Sequence, residues 1–94
     1  MIKLKIIAIK QHFKNGNYRI IGQNLFTKSI KYYSLEDCKM ELSEGDLIIC
    51  ENLGSNIKIN GHINQGLLVP RIKFVKRELI AELDYFEQLA KENI

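Results

Sequence analysis

The chain of 94 residues has no tryptophan, one proline, two cysteines and no acidic residue before Glu36. Each shortage excludes something. Cys38 and Cys50 are separated by eleven intervening residues, which fits neither a CxxC redox pair nor a zinc knuckle, and His12 and His62 complete no ligand set. Both thiols read as reduced structural side chains, and no metal is expected. Lys3, Lys5 and Lys10 interrupt the Ile-rich start, so no apolar run there is long enough for a signal peptide or a membrane span. The expectation is a cytoplasmic protein with no membrane partner.

Catalytic signatures are equally scarce. "KNGN" and "ENLGSN" contain glycine without the Lys-Ser/Thr of a phosphate-cradling loop, and Glu41, Glu44 and Asp46 read as solvated carboxylates around a surface turn. No nucleophile is paired with a base. An enzyme is not expected, and neither is a cofactor.

What is present is an apolar share of 46%, enough for a folded globule and too much for a disordered chain. A chain of this length forms one domain and buries about 60 to 65% of its unfolded surface. The net charge of +3 conceals a polarised molecule. Residues 1–35 carry +7, residues 36–77 are balanced, and residues 78–94 carry −4. Such a basic third suggests a nucleic acid or another anionic surface as partner. The competing reading is that these lysines keep ordinary strand faces solvated.

The order of elements is legible from alternation and turns. "IKLKIIAIKQHF" alternates through Ile2, Leu4 and Ile6, then changes phase to Ile7 and Ile9, which marks a bulge or bend in one strand. "KNGN" follows as a hairpin turn flanked by Phe13 and Tyr18. A second strand runs from Tyr18 to Leu25 with a bend at Gly22, and a third from Phe26 to Leu35. Leu35, Cys38 (or Lys39) and Leu42 recur at helical spacing and predict one or two turns of helix. "SEGD" is a turn before the buried strand "LIICENL", Asn60-Gly61 closes a small hairpin between 57–59 and 62–64, and "LLVPRIKFVKR" is the fifth strand. Pro70 places that strand at an edge or bulge, with Leu68, Pro70, Ile72 and Phe74 on one face. From Glu78 on, Leu79, Leu83, Phe86 and Ala90 form the stripe of an amphipathic acidic helix, which packs on its own domain or docks a second subunit or another protein.

This order resembles the OB-fold, a five-stranded Greek-key barrel. The stretch from Glu41 to Glu78, "ELSEGDLIICENLGSNIKINGHINQGLLVPRIKFVKRE", is similar to a pattern shared by bacterial single-stranded DNA-binding proteins and anticodon-type OB domains. Its parts are a polar turn ending in Gly-Asp, a hydrophobic strand, a variable hairpin carrying a glycine, and a final strand ending in charge. The tryptophan platform of the first family is missing. The resemblance implies an all-β fold with helices: an OB-fold barrel over 1–77 and a C-terminal amphipathic α-helix over 78–94.

It also implies a function, single-stranded nucleic acid binding with little sequence preference, DNA before RNA, in replication, recombination or repair. The use of Ile, Lys and Asn suggests an AT-rich coding sequence, which fits a mobile element. In OB-folds the second and third strands and the loops joining strands one to two and four to five form the binding surface. The candidate contacts mapped there are Lys3, Lys5, Lys10, Lys14, Tyr18, Arg19, Phe26, Lys28, Lys31, Tyr33, Lys58, Arg71 and Lys73. Alternation along "FTKSIKYY" sends Phe26, Lys28, Ile30 and Tyr32 inward and Thr27, Ser29, Lys31 and Tyr33 outward, making Tyr33 the first choice for base stacking and Tyr18 the second. Strand aromatics are also common core residues. The rival to nucleic acid is a protein-interaction module, or an accessory subunit joined through the acidic helix.

Overall fold

A computed structural model of the chain describes residues 1–60 and 65–78. The helix expected over 78–94 lies outside the described residues from position 79 onward, and so do His62 to Asn64. Five strands make up the described fold: β1 (Ile2–His12), β2 (Tyr18–Asn24), β3 (Ile30–Glu36), β4 (Leu47–Asn60) and β5 (Gln65–Glu78). They form one sheet in the order β1-β2-β3-β5-β4, and β4 returns to pair with β1, so the ring of strands closes. Every pairing is antiparallel except β3 with β5, which meet in parallel from Ser34 opposite Arg71 to Glu36 opposite Lys73.

The phase change in β1 is a bulge. Ile6 pairs with Gly22 and Ala8 with Ile21, leaving Ile7 without a partner on β2. On its other edge the pairing of β1 with β4 ends here, where the Ile6 N–H donates to the Asp46 carbonyl (2.9 Å) and the Gly45 N–H donates to the Ile6 carbonyl (2.7 Å). The "SEGD" turn thus docks on the bend in β1. Gly22 lies opposite the bend for reasons of space: a Cβ there would stand 3.3 Å from Leu4 Cδ1 and 3.5 Å from the Tyr33 ring.

Inside the ring, Leu4, Ile6, Ile20, Leu35, Ile48 and Ile72 are buried, with Phe74 packed against them. Each such aliphatic side chain contributes about 1.5 to 3 kcal/mol on burial. Tyr18 and Tyr33 belong to the same core, at 1% and 5% exposure.

Five sequence expectations are corrected. Residues 35–42 form no helix. Leu35 ends inside β3, Asp37 takes a positive φ of 59°, and the Cys38 N–H donates to the Gly16 carbonyl at 2.9 Å. Cys38 and Leu42 are buried because an irregular segment crosses the end of the barrel-like ring, anchored by the Tyr18 hydroxyl, which donates to the Met40 carbonyl (3.0 Å) and accepts from the Leu42 N–H (3.1 Å).

The third strand begins at Ile30 and not at Phe26, since Asn24 Oδ1 accepts from the N–H groups of Phe26 (2.8 Å) and Thr27 (3.1 Å) and folds the segment into a turn. Its faces are also reversed: Tyr33 and Leu35 point inward, while Phe26 and Ile30 are 75% and 59% exposed.

The small hairpin expected between 57–59 and 62–64 is replaced by longer elements: β4 is continuous from Leu47 to Asn60, and Ile57, Lys58 and Ile59 pair with Val69, Leu68 and Leu67 of β5. In β5, finally, Leu68 is 60% exposed while Val69 is buried with Ile72. The face changes because Leu53, Gly54 and Ser55 of β4 bulge opposite Arg71 alone, between the pairs Asn52 with Ile72 and Asn56 with Pro70. Pro70 therefore stands beside a bulge, as its missing donor requires.

Candidate nucleic-acid interface

The outer face of β2 and β3 carries Arg19, Ile21 and Gln23 opposite Ser34, Tyr32 and Ile30. Two projections overhang it. The β1–β2 hairpin turns through Phe13–Asn17, closed by the Phe13 N–H donating to the Asn17 carbonyl at 2.8 Å. The outer ends of β4 and β5 form a two-stranded arm in which Lys58 pairs with Leu68 and Ile59 with Leu67.

Between them lies a cleft of about 820 Å³. Three cations line it: Lys10 from β1, Arg19 from β2 and Lys58 from the arm. Phe13 and Tyr32 contribute rings, and Gln11 and Asn60 contribute carboxamides, with Ile59 beside them. No carboxylate lines it among the described residues. A second bulge makes this possible. Ile9 pairs with Ile20 and Gln11 with Arg19, so Lys10 is the extra residue on β1 and is released toward the cleft.

Arg19 is held from two sides. Its guanidinium carbon lies 5.0 Å from the Phe13 ring centroid, and Nη1 donates to Ser34 Oγ at 2.8 Å. Among the described residues the ion pairs are Lys3 with Glu78, Arg71 with Glu36 and Arg77 with Asp46, so none engages a cleft cation. The cleft can therefore pair with anions, stack a flat ring, and exchange hydrogen bonds through its amides.

No family model matches the chain, and no curated protein or solved structure matches it. The chemistry of the cleft is what bears on function.

Of the sequence-derived candidates, the cleft gathers Lys10, Arg19 and Lys58. Lys14 lies next door, in a smaller depression of about 350 Å³ shared with Phe13 and Lys39. Lys3 is paired with Glu78 at 3.2 Å. Lys5 is exposed at the other end of β1, where it pairs with Leu47 and Gln23. Phe26 and Lys28 sit in the exposed β2–β3 turn, Lys28 with a positive φ of 65°. Lys31 is exposed opposite Gly22, and Lys73 is exposed opposite Glu51.

Three candidates have structural tasks. Tyr18 and Tyr33 are core residues, so neither ring is available for stacking. The Tyr33 phenol is pushed above its ordinary value, first by burial and then by Cys50. The Cys50 thiol is itself pushed up to about 12, chiefly by burial. Arg71 is a clamp: Nε and Nη2 donate to the two carboxylate oxygens of Glu36, the second at 2.9 Å, and Nη1 donates to Ser55 Oγ at 2.9 Å. It ties β3, β5 and the bulge of β4 together, and the fork leaves little of it for a phosphate.

Gln11, Phe13, Tyr32, Ile59 and Asn60 are the lining residues that sequence reasoning did not select. The signal for Tyr32 was available in Leu35. A leucine at the inner end of a strand fixes the parity, and Leu35 is in phase with Tyr33, which leaves Tyr32 outside.

Proposed function

We propose that the protein is an OB-type barrel that binds single-stranded nucleic acid, DNA in the first place, in the cleft between its two overhanging hairpins. The observation that carries this reading is the convergence of Lys10, Arg19 and Lys58 with Phe13 and Tyr32 on one open cleft without a lining carboxylate. Cations that track phosphates, together with a ring on which a base stacks, are what single-strand binding requires. The strand order supports the barrel type, since a ring closed by a parallel β3–β5 contact and a β1 shared between β2 and β4 follows OB connectivity. The cleft also occupies the place where OB domains hold their ligands, on strands two and three beneath the loops between strands one and two and strands four and five.

Mechanistically, the three cations displace counterions from the strand, and Tyr32 takes over the stacking role that Tyr33 cannot fill. Neutralising about three phosphates of a single strand gives a log–log salt slope of about −2. Fluorescence anisotropy of labelled oligo-dT across a salt series, beside duplex DNA and single-stranded RNA, tests this. The expected result is binding to the single strands that weakens with salt at about that slope, and weaker binding to duplex. No salt-sensitive binding to oligo-dT at low ionic strength would sink the reading.

A further inference from the structure

Phosphate pairing and stacking leave two lining side chains without a task. Gln11 enters the cleft from β1, next to the bulged Lys10, and Asn60 enters from the outer end of β4, two residues beyond Lys58. Among the described residues no side-chain hydrogen bond engages either amide; of the lining side chains only Arg19 is engaged, by Ser34. A phosphate accepts hydrogen bonds and donates none, so the three cations already suit it. A carboxamide presents a donor and an acceptor side by side, which suits a base edge.

Two amides supplied from separate strands can read two edges of one base. Adenine is the base that offers an adjacent donor and acceptor on both its Watson–Crick and its Hoogsteen edge, through its 6-amino group with N1 and with N7. The Hoogsteen edge of guanine offers acceptors alone, and Asn and Gln pair characteristically with adenine. In single strands these edges are exposed. Arg19 covers one face of Phe13, which leaves Tyr32 as the freer ring on which such a base can stack.

We infer that the cleft seats an unpaired adenine, with Gln11 and Asn60 reading its edges while Tyr32 stacks on it and Lys10 and Lys58 hold the flanking phosphates. The inference rests on the single-strand reading of the cleft and adds a base preference to its otherwise sequence-tolerant contacts.

The test compares labelled dA12 and dT12 by anisotropy at fixed salt, with a third 12-mer whose adenines are replaced by the purine lacking the 6-amino group. dA12 is expected to bind about tenfold more tightly than dT12, and loss of the 6-amino group to erase that advantage with the protein unaltered. The double variant Gln11→Met, Asn60→Ala is expected to erase it as well, bringing dA12 and dT12 to equal affinity with the salt slope unchanged. Equal binding of dA12 and dT12, or a preference that survives removal of the amino group or of both amides, overturns the adenine seat and leaves the cleft as a general single-strand site. Absence of salt-sensitive binding to every 12-mer overturns both.

Discussion

Arg19 stacks its guanidinium over the Phe13 ring, with 5.0 Å between the guanidinium carbon and the ring centroid, while the same group donates to Ser34 Oγ at 2.8 Å. The contact joins the β1–β2 hairpin to the outer face of β3, so the charge in the cleft is also a strut between its wall and its floor. Lysine keeps the charge and loses both the planar stack and the guanidinium hydrogen bond to Ser34. Arg19→Lys is therefore expected to lower oligo-dT affinity by roughly three- to tenfold with an unchanged salt slope, the loss coming from geometry. Anisotropy titration at several salt concentrations measures both quantities; an affinity equal to that of the parent would reduce Arg19 to a point charge.

The clamp on the far side of β3 predicts a pH dependence. Hydrogen bonding from Arg71, reinforced by its charge and opposed by partial burial, holds the Glu36 carboxyl below its ordinary value of 4.5. A depressed carboxylate contributes stability that is complete above its unfolded value and is lost as pH falls through the folded one. Thermal midpoints should therefore decline as the pH falls below about 4.5, and the Glu36→Gln variant should show a shallower acid-side decline from a lower starting point at pH 7. Parallel profiles for the two proteins would remove Glu36 from the acid response.

How much of this could be read beforehand depends on whether a signal was local. Alternation in β1 located its bend, and Asn-Gly located the first hairpin, because bulges and tight turns follow from residues that are neighbours in sequence. The spacing of Leu35, Cys38 and Leu42 pointed to a helix, because two anchors on an irregular segment can mimic a helical period. Only the distant Tyr18 hydroxyl and Gly16 carbonyl explain their burial. The cleft was legible in its charges, since Lys10, Arg19 and Lys58 were selected. Its rings and amides were not, because two bulges and an Asn24-capped turn shift parity in ways that counting by twos from Phe26 does not follow.

Tyr18 has a structural role that its stability should expose. Its hydroxyl is the buried link that donates to the Met40 carbonyl and accepts from the Leu42 N–H, and its ring stacks on His12 at 3.9 Å between centroids. Tyr18→Phe keeps the ring and leaves the Leu42 N–H without that partner. A loss of about 1 to 3 kcal/mol in urea unfolding at pH 7 is expected, with oligonucleotide affinity close to that of the parent. If stability is unchanged, the segment from Met40 to Leu42 is held by other contacts.

Tyr32 and Tyr33 are adjacent in sequence and opposite in direction, which makes them the sharpest internal comparison. Tyr33 packs beneath Gly22 with 5% exposure, so Tyr33→Ala opens a core cavity and should cost about 3 to 5 kcal/mol, a large share of the stability of so small a domain. Tyr32 faces the cleft, and truncating it removes a stacking surface worth about 1 to 3 kcal/mol per base. Tyr32→Ala should therefore bind oligo-dT roughly 5- to 150-fold more weakly while unfolding at nearly the urea concentration of the parent. The two variants should dissociate in a paired measurement, one losing stability and the other losing affinity. Should Tyr32→Ala keep full affinity while remaining folded, stacking in the cleft is excluded and the cations alone carry the binding; should it unfold as readily as Tyr33→Ala, its ring belongs to the packing of the β2–β3 face.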